Sequence, residues 1–591
     1  MRSIRNIVIM ISLVFPVIAA SPLIGARAND YQDFKFEQLA KTAAKDGFIR
    51  VIVKMDVPDL DLLTAASTRF KSGFSEDKSY VQSAADADIE LDSAISRVRD
   101  TLLYQLNGRP YLINRTFSTI PFVALTVFPE TLEKLKTVPV VTDIYEDRLV
   151  PLLEDTPAEN ENNGGDISTP FLEDSVPIVG ADVAWDLGYT GNNWYVAVLD
   201  TGMRTSHEMF RGKNIVEQCY ALGSNSRDLE NGGCPNGKTE MSGPGSAAPY
   251  SPQYGHGSHV AGIAAGNNGE NHIGVAKDAN IIAVQVFSFI PAWNDIGSYD
   301  SDALKGLEYV YSIRNAYNIA SVNMSLGSQE SYSAYCGDSR STVINNLKAA
   351  GIATVIASGN EQQCNAVAAP GCVEGAVTVT GSDKGGNEYT SGNWNDVLVD
   401  LVAPGTSIES ATAWNDTSYG WYTGTSMSTP HVAGAWAIIK QFDPSLSVDE
   451  ILQVLQDSGT LIYSNRCADR MPKPQINIGN ALNFLFNIAP PLNLTAEQFK
   501  NQSLLQTEYI NKLTWEKNPR NEGKNITRYK IYLYENRQLI FLGEVDSSTF
   551  TYLHRKAGRR VERTYGITAV NNEGEESSPF YHTIDFGNIQ N

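Results

Sequence analysis

The sequence predicts an α/β protein in which a parallel sheet carries helices on both faces, with a small α+β domain before it and an all-β sandwich after it. Three observations lead there. Between about Pro170 and Ile488, short apolar runs alternate with longer amphipathic ones; examples are WYVAVLD ending at Asp200, NIIAVQVF from Asn280 and ASVNMSLG from Ala320. Continuous apolar strands of that kind suit a sheet buried on both sides. Upstream, residues 49–55 and 122–128 are strand-like and 130–136 helical, a mixed pattern. Beyond Pro490 and Pro491, runs such as NKLTWEK, RYKIYLYE and RTYGITAVN alternate apolar with polar residues between turn-rich stretches, the pattern of a sandwich.

The elements follow in chain order. Arg2 and Arg5, an apolar run from Ile7 to Ala20 and then Ala26-Arg27-Ala28 predict a secretory signal peptide over residues 1–28. Pro16 interrupts the run, which is short for a spanning helix, and no later stretch could span a membrane. The expected product is exported and extracellular. Residues 29–152 form the α+β domain, and 153–169, rich in Glu, Asn, Gly and Pro, form a linker that cannot bury enough surface to order itself and is open to proteolysis. The α/β block covers 170–488 and the sandwich 489–591.

At 591 residues with 42% apolar content, the chain is long enough for several cores. A net charge of -21 argues against partners such as nucleic acid or an anionic membrane surface, which would require a basic face. The six cysteines, Cys219, Cys234, Cys336, Cys364, Cys372 and Cys467, suit disulfides in an exported chain. Cys219 with Cys234 would close a surface loop; the pattern does not rank Cys336–Cys372 against Cys364–Cys372.

Chemistry concentrates in three segments. VAVLDTG ends a strand on Asp200, at the sheet edge where α/β proteins bind ligands. HGSHVAG opens a helix on His256 among glycines that allow close approach, suiting a proton shuttle. GTSMSTPHVAG sets Ser426 among small residues at a helix start, whose amides face a developing negative charge. Each alone has an ordinary reading: a turn aspartate, a buried histidine, a helix cap. Together, in the order Asp, His, Ser, they match the subtilisin arrangement of a catalytic triad.

These blocks resemble the three signature blocks of the subtilisin-like serine proteases. The resemblance covers the central block and implies a subtilisin-like fold, protein or peptide substrates and an acyl-enzyme mechanism needing no cofactor for its chemistry. It further implies that Asn360 is a side-chain oxyanion donor. Ser325, Leu326 and Gly327 would pair with substrate, and Ala357, Ser358 and Gly359 would wall the pocket before the scissile bond. Residues 29–152 resemble an inhibitory propeptide, acting as an intramolecular partner, with Tyr145-Glu146-Asp147 most like the tail that enters the cleft. The sandwich resembles a fibronectin type III domain through Leu513-Thr514-Trp515, Tyr529-Lys530-Ile531-Tyr532 and Tyr565–Asn571.

Three departures stand out. Ser328 replaces the usual glycine after Ser-Leu-Gly, the stretch from Cys219 to Tyr254 is longer than in compact relatives and should be a surface loop at the cleft rim, and Met209 stands where many members place a calcium-binding aspartate. The loop Asn267-Asn268-Gly269-Glu270-Asn271 still offers oxygens, so a structural calcium stays open. Two rival readings follow from the same residues: a catalytically silent binding protein on this fold, and a maturation protease of narrow specificity.

Overall fold

The computed structural model describes residues 35–67, 78–153, 156–157, 172–223, 232–328, 330–467, 469–502, 507–535, 538–584 and 586. The expected signal peptide and most of the expected linker lie outside the described residues. Among the described residues, no helix is long and apolar enough to cross a membrane.

The central block is the subtilisin-like α/β fold expected. Its sheet runs, edge to edge among the described residues, through Thr460–Ile462, Lys473–Gln475, Leu401–Pro404, Val377–Ser382, Ala353–Ala357, Ile319–Met324, Tyr195–Asp200, Asn280–Gln285, Ile215–Tyr220 and Glu240–Ser242. All neighbours from Lys473–Gln475 to Ile215–Tyr220 pair in parallel, and only the two edge pairs are antiparallel. Side chains alternate across a strand, and Tyr195–Asp200 uses both faces. Val196 and Val198 join the core under helices His256–Ala265 and Thr425–Phe442, while Ala197 and Leu199 join the core under helices Asp300–Ser312 and Ser341–Ala349. This strand is apolar from Val196 to Leu199 and ends on the carboxylate of Asp200.

The stretch from Cys219 to Tyr254 is not wholly a surface loop. Glu240–Ser242 pairs with Gln218–Tyr220 and extends the sheet, because Cys219 and Cys234 are joined and fold the chain back on itself. Two more disulfides, Cys336–Cys372 and Cys364–Cys467, resolve the pairing that spacing left open.

The upstream region is an antiparallel sheet in the order Tyr111–Thr116, Phe122–Val127, Ile49–Met55, Val141–Glu146. Helices over residues 35–46, Leu60–Ser67, Lys78–Gln105 and Pro129–Leu135 accompany it. Its second face is covered by the central block: Val51 and Val53 face the region's own core, whereas Ile52, Phe122 and Ala124 belong to the core around helix Asp300–Ser312.

Buried charges join the two parts. Arg115 bonds Asp302 Oδ1 at 2.7 and 3.1 Å, Glu308 Oε1 accepts from the amides of Ser118 and Thr119, and Asp147 caps the helix through the amide and hydroxyl of Ser301, both at 2.8 Å. Downstream, strands from Leu492 to Ile584 form three- and four-stranded antiparallel sheets around Leu513, Trp515, Ile531, Tyr565 and Ile567.

Candidate active site

Parallel strands bring their carboxyl ends to one edge of the sheet, where ligand sites form. Asp200 ends its strand there; Ser325 and Ser358 immediately follow two others. The helices beginning at His256 and Thr425 start at that edge and pack in one apolar cluster through Val260, Ala264, Val432 and Ala435.

Asp200 Oδ1 and His256 Nδ1 are 2.8 Å apart, and both side chains are buried. The same carboxylate oxygen accepts the Thr201 amide at 2.7 Å. Thr201 in turn accepts the Gly257 amide through Oγ1 and donates to the Tyr254 carbonyl, so the turn after Asp200 is bonded to the start of the histidine helix. A side chain at Gly257 would put its Cβ 2.2 Å from the Gly202 carbonyl oxygen. Only glycine lets these two backbones approach so closely. A carboxylate facing Nδ1 holds the hydrogen on that nitrogen, which leaves Nε2 as the basic end.

Ser426 occupies the first turn of helix Thr425–Phe442. Its hydroxyl is buried without a hydrogen-bond partner among the described residues, which leaves its oxygen uncommitted. Its carbonyl accepts from Ser325 Oγ at 2.8 Å, so the Ser325 side chain holds the backbone of Ser426. Asn360 Oδ1 accepts both the amide and the hydroxyl of Thr425 at 3.0 Å. Its nitrogen is thereby the donor end, one residue from Ser426.

Two further histidines lie on the helices that carry His256 and Ser426. His259, bonded to the carbonyls of Ile408 and Gly420, is lowered by burial to about 3. Burial also lowers His431, bonded to the Met427 carbonyl and Ser175, to about 4. Both imidazoles are neutral near pH 7.

The chain's own upstream segment crosses this edge. Leu149–Pro151 pairs antiparallel with Gly297–Tyr299, and Val150 and Pro151 line a small cavity with Leu326 and Gly327. A Cβ at Gly327 would lie 3.5 Å from Leu153 Cδ2. Thr156 and Pro157 then pair with Thr423 and Tyr422, just before Ser426. The upstream residues that pair at this edge are therefore Leu149–Pro151 and Thr156–Pro157. Tyr145–Asp147, expected to enter the cleft, instead ends a sheet strand and caps a helix.

The remaining positions are quickly placed. Ala357 and Ser358 are fully buried, and the Ser358 amide and carbonyl bond Val379 and Ala368 within the fold. Ser328 donates its amide to the Ala369 carbonyl. Met209 is buried against Gly262 and Gly266 beneath the histidine helix. The carboxamide oxygens of Asn267 and Asn268 accept the amides of Gly269, Glu270 and His272. The Met209 thioether does not fit a hard cation, which takes six to eight oxygens.

Sequence reasoning missed Thr425, the partner that orients Asn360, and Asn393, which encloses the Asn360 turn. Thr425 was legible as a neighbour of Ser426; Asn393 carries no motif.

A model of the subtilase family matches residues 191–476. The chain is similar to an alkaline protease of Alkalihalobacillus alcalophilus, 31% identical over 350 residues that cover 59% of this chain and 76% of that protein. It is also similar to the minor extracellular protease Epr of Bacillus subtilis (strain 168), 29% identical over 339 residues, 56% of this chain and 45% of that one. Solved proteases from Pseudoalteromonas arctica PAMC 21717 align at a TM-score of 0.42 and 27% identity, covering 52% of this chain and 94% of theirs.

Proposed function

Because the chain belongs to the subtilase family, we propose that it is an exported serine endopeptidase, made as a precursor whose own residues 29–152 inhibit it. The observation that carries this reading is that Leu149–Pro151 and Thr156–Pro157 pair through their main chains with Gly297–Tyr299 and with Tyr422–Thr423, just before Ser426, in the manner of a bound peptide. Main-chain pairing of this kind tolerates many sequences, which suits a peptidase acting on proteins.

The proposed mechanism uses the chain's own side chains and water. Substrate pairs with the strand at Asp295–Tyr299 and with Ser325–Gly327. Ser426 Oγ attacks the peptide carbonyl carbon while His256 Nε2 takes its proton, and Asp200 holds the imidazole in the needed tautomer. The oxyanion receives the Ser426 amide and Asn360 Nδ2. Collapse breaks the C–N bond, and the leaving amine takes the proton from His256. Water, deprotonated by His256, then attacks the acyl-enzyme; the acid leaves and Ser426 regains its proton.

Maturation on this reading cuts the chain between Leu153 and Thr156. Export rests on the signal-like residues 1–28. The sandwich is read as a fibronectin type III-like spacer, since its hydrogen bonds to the catalytic block, among the described residues, run from Arg520 and Lys524 to Phe484, Leu485 and Asn487.

Ser426→Ala provides the test. Casein hydrolysis is expected to fall about a million-fold, and the precursor should remain uncut. Wild-type enzyme should begin at Glu154, Asp155 or Thr156 on N-terminal sequencing and should label with a serine-directed phosphonate. Undiminished activity in Ser426→Ala, or active enzyme beginning near Asn29, would overturn the proposal.

A further inference from the structure

We infer that Asn393 is a positioning residue for catalysis, holding the turn that presents Asn360 to the oxyanion. The inference rests on the oxyanion role proposed for Asn360. The turn leaves the strand Ala353–Ala357 and passes through two residues in the left-handed region, Gly359 at φ +100° and Gln362 at φ +58°. Such a segment lacks the repeating backbone bonds of a helix or strand, so its shape must be imposed from outside.

Asn393 imposes it. The residue is fully buried in an irregular stretch far along the chain, and each of its polar atoms is bonded to residues 358–363. Its amide donates to the Gly359 carbonyl at 2.9 Å, and its carbonyl accepts from Ser358 Oγ at 3.1 Å. Oδ1 accepts the amides of Glu361 at 3.1 Å and Gln363 at 2.9 Å. Nδ2 donates to the Ser358 carbonyl at 3.0 Å and to Glu361 Oε2. These partners settle the orientation of the amide, since two N–H groups face the oxygen and two acceptors face the nitrogen.

The contacts bracket Asn360 on both sides. Asn360 is then fixed laterally by Thr425, beside Ser426. Gly359 completes the arrangement, since a Cβ there would come within 2.5 Å of Asn393 Nδ2. Arg466 supports the same turn through the Gln362 carbonyl at 2.5 Å, next to the Cys364–Cys467 disulfide. An oxyanion donor works only within about 2.7–3.1 Å of the developing charge, and a displacement of about 1 Å costs on the order of a hundredfold. Asn393 acts through Asn360 and so should govern turnover more than substrate affinity.

The test compares mature wild-type enzyme with Asn393→Asp, which keeps Oδ1 but turns an oxygen toward the Ser358 carbonyl and the Glu361 carboxylate. Turnover should fall about 10- to 100-fold with KM within about twofold. Adding Glu361→Gln supplies a donor across that contact and should recover most of the lost turnover. In an Asn360→Gly enzyme, itself about 100- to 1000-fold slower, Asn393→Asp should change turnover by less than about twofold, because the two act as one unit.

Folded Asn393→Asp with wild-type turnover overturns the inference, as does an equal loss in both backgrounds. Wild-type turnover in Asn360→Gly would instead remove the oxyanion reading beneath it. Should Asn393→Asp not be recovered folded, Glu361→Ala decides. A loss of about threefold in turnover, absent from the Asn360→Gly background, supports the inference, and no loss in either background overturns it.

Discussion

Two β-sheet regions flank the same α/β block and are attached to it in opposite ways. The upstream sheet is buried on both faces: Ile52, Phe117, Ile120 and Phe122 complete the core around helix Asp300–Ser312, and the contact is tied by the buried pair Arg115–Asp302. The downstream sandwich closes its own core between two sheets. Its bonds to the block run from Arg520 to the Phe484 carbonyl and from Lys524 to the carbonyls of Leu485 and Asn487. A region whose second face is apolar has a partner written into its packing, whereas one that satisfies itself needs only a tether.

The strongest way to break this comparison is to remove each region in turn. A chain lacking residues 29–153 should yield on the order of a hundredfold less active enzyme after refolding, because helix Asp300–Ser312 and its apolar neighbours would fold against nothing. A chain lacking 489–591 should yield within about twofold of the full chain. Active-site titration of refolded material measures both, and equal yields would erase the distinction.

A smaller effect separates single contacts at the two junctions. Asp302 is fully buried and its carboxyl is raised by that burial to about 6 even beside Arg115. Removing Arg115 strands a buried carboxylate, so Arg115→Ala in the uncut Ser426→Ala chain should lose about 3–5 kcal/mol by denaturant unfolding. Lys524 donates to the carbonyls of Leu485 and Asn487 from a half-exposed position, and burial lowers its amine to about 8. Lys524→Ala should cost about 1 kcal/mol or less.

A graded effect is acid sensitivity, which should be strongest in the central block. No histidine precedes His207. His259 and His431 are held neutral by burial, at about 3 and about 4, against about 6.5 in an unfolded chain. Below 6.5 the unfolded chain binds protons that the folded chain excludes, so stability is full above that pH and falls as the pH drops toward 4. The loss should be roughly 1.4 kcal/mol per pH unit for each histidine. His431→Gln should flatten that slope by one such increment, read as the pH dependence of denaturant unfolding between pH 4.5 and 6.

Much of this molecule was legible in its sequence. Asp200, His256 and Ser426 each sit in a contiguous block whose small residues and glycines are demanded by local geometry, as the 2.2 Å approach at Gly257 illustrates. The alternation of apolar runs foretold the parallel sheet because a strand covered on both faces is predominantly apolar. That Leu149–Pro151 and Thr156–Pro157 pair at the strand ends was not legible, since pattern identifies strands but not their register against a distant edge.

Partner choice across the chain was decided only by the tertiary structure. Asn393 lies in SGNW and looks like any turn asparagine; its role exists because strand order sets that loop against the turn after Ala357. Cys364 meets Cys467 across 103 residues for the same reason. Local sequence encodes local conformation and periodicity, while the energy of a buried hydrogen bond or ion pair depends on which remote groups the packed sheets and helices bring within about 3 Å.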